Sequence, residues 1–192
     1  MSETEPQLLA WMEELEQYHL PRWEELPDIE LYMDQVITLI ERYLSPLVGQ
    51  MGGKVITPAM INNYVKLAIM PKPNKKRYAR VHLAYLIVIT ILKQVLLIPD
   101  IKQGIFLQAN INGISDAYNL FCEEQEDAIQ AMITTYSSQP ATISMEQVAL
   151  NRLGLHMACV SFASKIFTEK IIFLRMQEHT KQEHSKTEKK VL

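Results

Sequence analysis

Residues 57–80 read TPAMINNYVKLAIMPKPNKKRYAR. The stretch carries Lys66, Lys72, Lys75, Lys76, Arg77 and Arg80, the tyrosines Tyr64 and Tyr78, the pair Asn62-Asn63, and no acid. It opens on Thr57-Pro58, a hydroxyl able to cap the first amides of a helix followed by a proline preset for its first position. Pro71 and Pro73 disfavour helix in the residues before them, so the pattern predicts a helix that begins at 58 and ends by 70. A short basic loop or two-stranded wing follows, KPNKKRYAR. The next segment, 81–97, is apolar almost all round, which predicts a helix at the centre of the core.

Working outward, the charge of the chain is divided by position. Residues 1–41 hold eleven acids and one base, residues 42–99 nine bases and no acid, and residues 100–192 eleven acids and nine bases, which sum to the net charge of -3. Solvated surfaces ordinarily mix the two signs, so a 58-residue block without an acid implies a face that meets something anionic. A solvated face, or a patch that pairs with the chain's own acidic N-terminal block, is the plainer alternative.

Apolar residues recur at spacings of three and four throughout, which predicts an all-α chain of six or seven helices. An acidic helix over about 5–18 presents Leu8, Leu9, Trp11, Met12 and Leu15. A second runs from about 28 to 44, with Leu31, Val36, Ile40 and Tyr43 for the core. After Pro99 come a short helix, a long one over 115–136, and a final one from Ser144, where Ser144 and Gln147 stand at capping-box spacing, to about Gln177. The polar remainder predicts disorder. These elements group into an acidic helical segment (1–28), a central unit (29–101), a C-terminal helical module (102–178) and a tail (179–192).

Several classes of chemistry find no support. GQMGGKV at 49–55 lacks the phosphate-loop pattern, because Val48 stands where the glycine six residues before the lysine is needed and Val55 where Ser or Thr must follow. His179 and His184 have no carboxylate or cysteine at metal-ligand spacing, so neither a metal nor a cofactor is expected. No nucleophile elbow or dinucleotide loop occurs, which argues against an enzyme. Cys122 and Cys159 form no CxxC pair, so a reducing cytoplasmic setting is expected. The N-terminus has no basic, apolar signal segment, and the longest apolar run breaks at Lys93-Gln94, well short of the roughly 20 residues of a membrane span.

Helix, glycine turn, short helix, basic hairpin and apolar helix is the order of a winged helix-turn-helix. TPAMINNYVKLAIMPKP followed by KRYARVHLAYLIVI resembles the DNA-reading half of MerR-type regulators. Tyr64 stands at the last tyrosine of that family's recognition helix, Ile69-Met70-Pro71 at its apolar-apolar-Pro step, and Lys76 and Tyr78 at the Arg-x-Tyr of its wing. Asn62 replaces an arginine of the family pattern and Ala68 a glycine. LPDIELYMDQV, ITPAMINNYVK, KKRYARVHLAYLIVITILKQV and IPDI are similar to the bacterial family catalogued as domain of unknown function 1836, itself described as MerR-like, over about residues 20–135. That family brings no known activity.

The expectation is therefore an all-α protein with a MerR-like winged helix-turn-helix that binds double-stranded DNA in transcriptional regulation. Lys54, Lys66, Lys72, Lys75, Lys76, Arg77 and Arg80 would hold phosphates, and Thr57 and His82 stand at helix starts where they could touch one, although a satisfied structural histidine is the plainer reading of His82. Asn62 and Asn63 would pair with adenine edges or bond locally. Tyr64 and Tyr78 are phosphate contacts or core packers. The rival is a protein-protein adaptor whose basic face meets an acidic partner. In the last helix Val148, Leu155 and Phe162, with Cys159, Ile166 and Phe173, follow heptad spacings and are either ordinary core or the seam of a homodimer. Ten methionines could line a pocket for an unidentified small-molecule effector or fill gaps in the core.

Overall fold

The computed structural model describes residues 4–48, 53–137 and 148–191. Among them seven α-helices follow one another: α1 (Thr4–Glu16), α2 (Met33–Leu44), α3 (Pro58–Lys66), α4 (Arg80–Leu92), α5 (Ile98–Asn112), α6 (Ile114–Ser137) and α7 (Leu150–Val191). A 3₁₀ turn stands at Trp23–Glu25, and two isolated antiparallel bridges join Leu31 to Tyr78 and Asn74 to Arg77. The described residues contain no longer strand, so the chain is all-helical, as the apolar spacing predicts.

α4 is the central element. Leu83, Leu86, Ile87, Ile89 and Ile91 are all fully buried, because neighbours cover it on nearly every side. α2 packs on it through Val36, Ile40 and Leu44, and α3 contributes Ile61 and Tyr64. α6 and α7 lie along each other and share the same core through Phe121, Cys122, Ile129, Cys159 and Phe162.

The acidic helix α1 forms over the stretch that the sequence predicts. It packs principally on α7 and then on α6. Leu8, Trp11, Met12 and Leu15 are buried there, with Trp11 edge-on to Phe167 at 5.0 Å. Leu9, grouped with them by sequence, is 42% exposed.

Several boundaries move for local reasons. α2 starts at Met33 rather than 28, because the backbone of Leu31 exchanges hydrogen bonds of 2.8 and 2.9 Å with Tyr78 and holds the preceding segment extended. α4 stops at Leu92, where the amides of Val95 and Leu96 turn back onto the Leu92 carbonyl. α5 is fifteen residues long, not short, because Pro99 lies in its first turn, where an amide hydrogen is not needed. Gly113, with φ 80° and ψ 166°, turns α5 directly into α6 in a conformation open essentially to glycine alone. Ser144 and Gln147 lie outside the described residues. α7 continues past Gln177 to Val191, across polar residues that include no glycine or proline.

The link between α1 and α2 is tied to α6 by polar bonds. Glu126 accepts from the Leu20 amide at 2.7 Å and from both terminal nitrogens of Arg22 at 2.8 and 2.5 Å. Tyr118 donates to the Pro21 carbonyl at 2.7 Å, and the Trp23 amide donates to Asn119 at 2.8 Å. Burial alone would raise the Glu126 carboxyl, but the Arg22 guanidinium and the Leu20 amide outweigh it and hold the pKa below the ordinary 4.5. A depressed carboxylate contributes stability above its unfolded pKa and loses it as the pH falls through the folded one. Glu126→Gln is expected to cost about 1–3 kcal/mol at pH 7, and the gap to the native chain should close as pH falls below 4.5. Urea unfolding at pH 7 and at about pH 3 reads this, and an equal gap at both would show that the carboxylate charge is irrelevant.

Candidate nucleic-acid interface

α3 forms as its sequence predicts. Pro58 is its first residue, and the Thr57 hydroxyl accepts from the Met60 amide at 3.3 Å. The helix ends in a Schellman turn: the Ala68 amide bonds the Val65 carbonyl and the Ile69 amide bonds Tyr64, both at 3.1 Å. The residue at the left-handed position of that turn is Ala68, with φ 50°. Glycine is the usual occupant, since a Cβ crowds the following carbonyl there.

The basic segment then makes a tight reversal. Arg77 donates its amide to the Asn74 carbonyl at 2.8 Å, and the two residues between them, Lys75 and Lys76, have φ of 46° and 64°. Positive φ at both central residues is the signature of a type I′ hairpin turn, where Asn-Gly is the favoured pair. Together with Ala68 these lysines are the only non-glycine residues of positive φ among those described, and all three lie within nine residues of each other. Each costs on the order of 1 kcal/mol of backbone strain.

The expected contact residues separate into two groups. Lys54, Lys66, Lys72, Lys75 and Lys76 are exposed, and none has an acidic partner within 4.0 Å among the described residues. Asn62 and Asn63 are exposed side by side on α3. The second group is engaged inside the protein. Tyr64 and Tyr78 are 4% and 3% exposed, and burial raises both phenols above their ordinary pKa. His82 is buried, edge-on to Tyr78 at 5.6 Å, and its Nδ1 accepts from the Ala79 amide at 2.9 Å, so it caps α4 from within. The Thr57 hydroxyl serves as the cap of α3.

Two arginines are intermediate. Arg77 donates to the Tyr32 hydroxyl at 2.8 Å, with its guanidinium 4.6 Å from that ring. Arg80 pairs with Glu24 at 2.8 Å and lies 5.9 Å from the Trp23 ring. Glu24–Arg80 is the one ion pair among the described residues that joins the acidic N-terminal block to residues 42–99. Lys93, also in that block, is turned inward toward the Val55 carbonyl at 3.4 Å, and burial lowers its pKa.

Sequence reasoning missed Tyr32 and Lys102. Tyr32 is half exposed and carries Arg77, 45 residues distant in the chain. Lys102 donates to the Leu67 carbonyl at 3.2 Å and so adds a cation at the end of α3. Asp100 ends the acid-free run two residues before Lys102 and hid it from the charge count.

Elsewhere, Cys159, Phe162 and Ile166 are buried in the chain's own core, and Val148, Leu155 and Phe173 are partly buried. Burial pushes the Cys122 thiol up to about 12 and that of Cys159 higher still, which leaves both unreactive. Among the described residues no His, Cys, Asp and Glu cluster could hold a metal ion, and no helix is long and apolar enough to cross a membrane. A family model described as Domain of unknown function (DUF1836) matches residues 21–138, from the link after α1 through the end of α6. No curated protein and no solved structure matches the chain.

Proposed function

The chain belongs to the DUF1836 family, a domain of unknown function, and we propose that it is a DNA-binding transcriptional regulator whose residues 29–101 act as a MerR-like winged helix-turn-helix. In this reading α3 enters the major groove and offers Asn62 and Asn63 to base edges, where an amide can pair with adenine N6 and N7. The turn at 74–77 is the wing. Lys72, Lys75 and Lys76, with Lys54 and Lys66, neutralise phosphates and release their counterions. Tyr64, Tyr78 and His82 build the scaffold that holds α3 against the wing, and Arg77 and Arg80, each already bonded to Tyr32 or Glu24, have fewer donors left for phosphate.

The observation that carries the reading is the pair Lys75-Lys76. Both residues are exposed and lack an acidic partner among the described residues, and both are held in left-handed backbone that Asn-Gly would adopt with less strain. Strain kept at an exposed position points to a use for the side chains there.

Selection of genomic fragments bound by the protein, followed by affinity measurements at fixed salt, tests specificity. One fragment should bind at least 10³-fold more tightly than random duplex. Asn62→Ala and Asn63→Ala, made separately, should each cost about 1–3 kcal/mol on that fragment and little on random DNA. Equal affinity for all duplexes would exclude a sequence-reading regulator and favour an adaptor that binds acidic proteins.

A further inference from the structure

The described surface contains a groove of about 380 Å³ between α4, α5, α6 and α7, and none of the candidate DNA-contact residues lines it. Tyr85 and Val88 of α4, Leu107 and Ile111 of α5, Phe121 of α6 and Leu155 of α7 line it. Its floor is deep, since Ile101 and Phe121 are only 1% and 2% exposed, whereas Leu107 and Ile111 on its rim are more than half exposed. Asp100 is the only charged residue in the lining. At one edge the Gln108 side chain donates to the Asn151 carbonyl at 2.9 Å and bridges α5 to α7.

Two glycines shape this space. Gly104 lies inside α5 and Gly154 inside α7, and both line the groove. A glycine inside a helix weakens it relative to alanine. Neither residue has the positive φ that would demand glycine, and a Cβ added at either would meet no atom of the described residues within 4 Å. Packing among the described residues therefore does not call for their small size. What each glycine does is leave the groove wider by a side chain.

We propose that this groove binds a small, uncharged, apolar molecule. Its volume lies within the range of small-molecule sites, its walls are apolar with a few polar groups at the edge, and a space between the helices of a bundle is a usual place for one. A single carboxylate and no cation in the lining disfavour an anion. The depth of the floor fits a compact ligand better than the flat face of a second copy. The inference is independent of DNA binding and stands or falls separately from it.

The full-length protein titrated with N-phenyl-1-naphthylamine, with decan-1-ol as competitor, provides the test. Saturable binding of one probe per chain is expected, with enhanced and blue-shifted emission reversed by the alcohol. Gly104→Leu and Gly154→Leu should each lower probe affinity at least tenfold by filling the groove. Gly104→Ala and Gly154→Ala should weaken it about threefold while raising the melting temperature, which keeps the test decisive if a leucine variant does not fold. Non-saturable binding overturns the proposal, as does undiminished affinity in the folded glycine variants. Sedimentation in parallel would also overturn it by showing wild-type dimers that the probe dissociates and the glycine variants fail to form, since the occupant would then be a second copy.

Discussion

Replacing Lys72, Lys75 and Lys76 together by alanine is expected to weaken binding to random duplex about 10²-fold at roughly 0.1 M salt and to lower the slope of log K against log salt by about 0.9 for each phosphate that is no longer neutralised. The three side chains are exposed, none meets an acidic group among the described residues, and none is required by the core. Arg77 is left in place because its guanidinium lies on Tyr32, so its removal would disturb the turn as well as the charge. Specific and random DNA should weaken alike, since phosphate contacts carry no sequence information. A companion variant, Lys75→Asn/Lys76→Gly, separates charge from backbone. It supplies the pair a type I′ turn prefers and should gain about 1–2 kcal/mol of stability while its affinity for DNA still falls. An unchanged salt slope in the triple variant would mean that the basic segment is no phosphate clamp, and the adaptor reading would take its place.

Phe162→Ala is expected to cost about 3–5 kcal/mol of folding stability at every protein concentration. Phe162 is completely buried, beside Cys159 and Ile166, in the core shared by α6 and α7. In a dimer seam the same residue would be uncovered in the monomer, and alanine would leave a folded monomer whose stability no longer varied with concentration. Chemical unfolding over a hundredfold range of concentration distinguishes the two. A folded monomeric variant with a loss under about 1 kcal/mol would place Phe162 at an interface between chains.

The helical character of the chain, the cap and start of α3 and the central position of α4 were legible in the sequence. All three depend on near neighbours: Thr57 is three residues from the amide it caps, and the apolar run of α4 marks it as covered whatever covers it. The five exposed lysines were also legible, because an acid-free block offers them no nearby partner. Tertiary structure alone decided the rest. Tyr78 read equally well as a phosphate contact or a core residue until the Leu31 bridge fixed it inside, and the Ala79 amide showed what the His82 ring is satisfied by. The heptad stripe of α7 had the same spacing for an inner core as for an outer seam, and the packing of α6 and α1 against it settled that Cys159, Phe162 and Ile166 face inward. Arg77 and Arg80 counted as available charge until Tyr32 and Glu24, 45 and 56 residues away, reached them. Local spacing specifies helices, caps and charge density because those depend on neighbours along the chain. Which face of a helix is covered, and which cation is already paired, depends on residues that only the folded chain brings near.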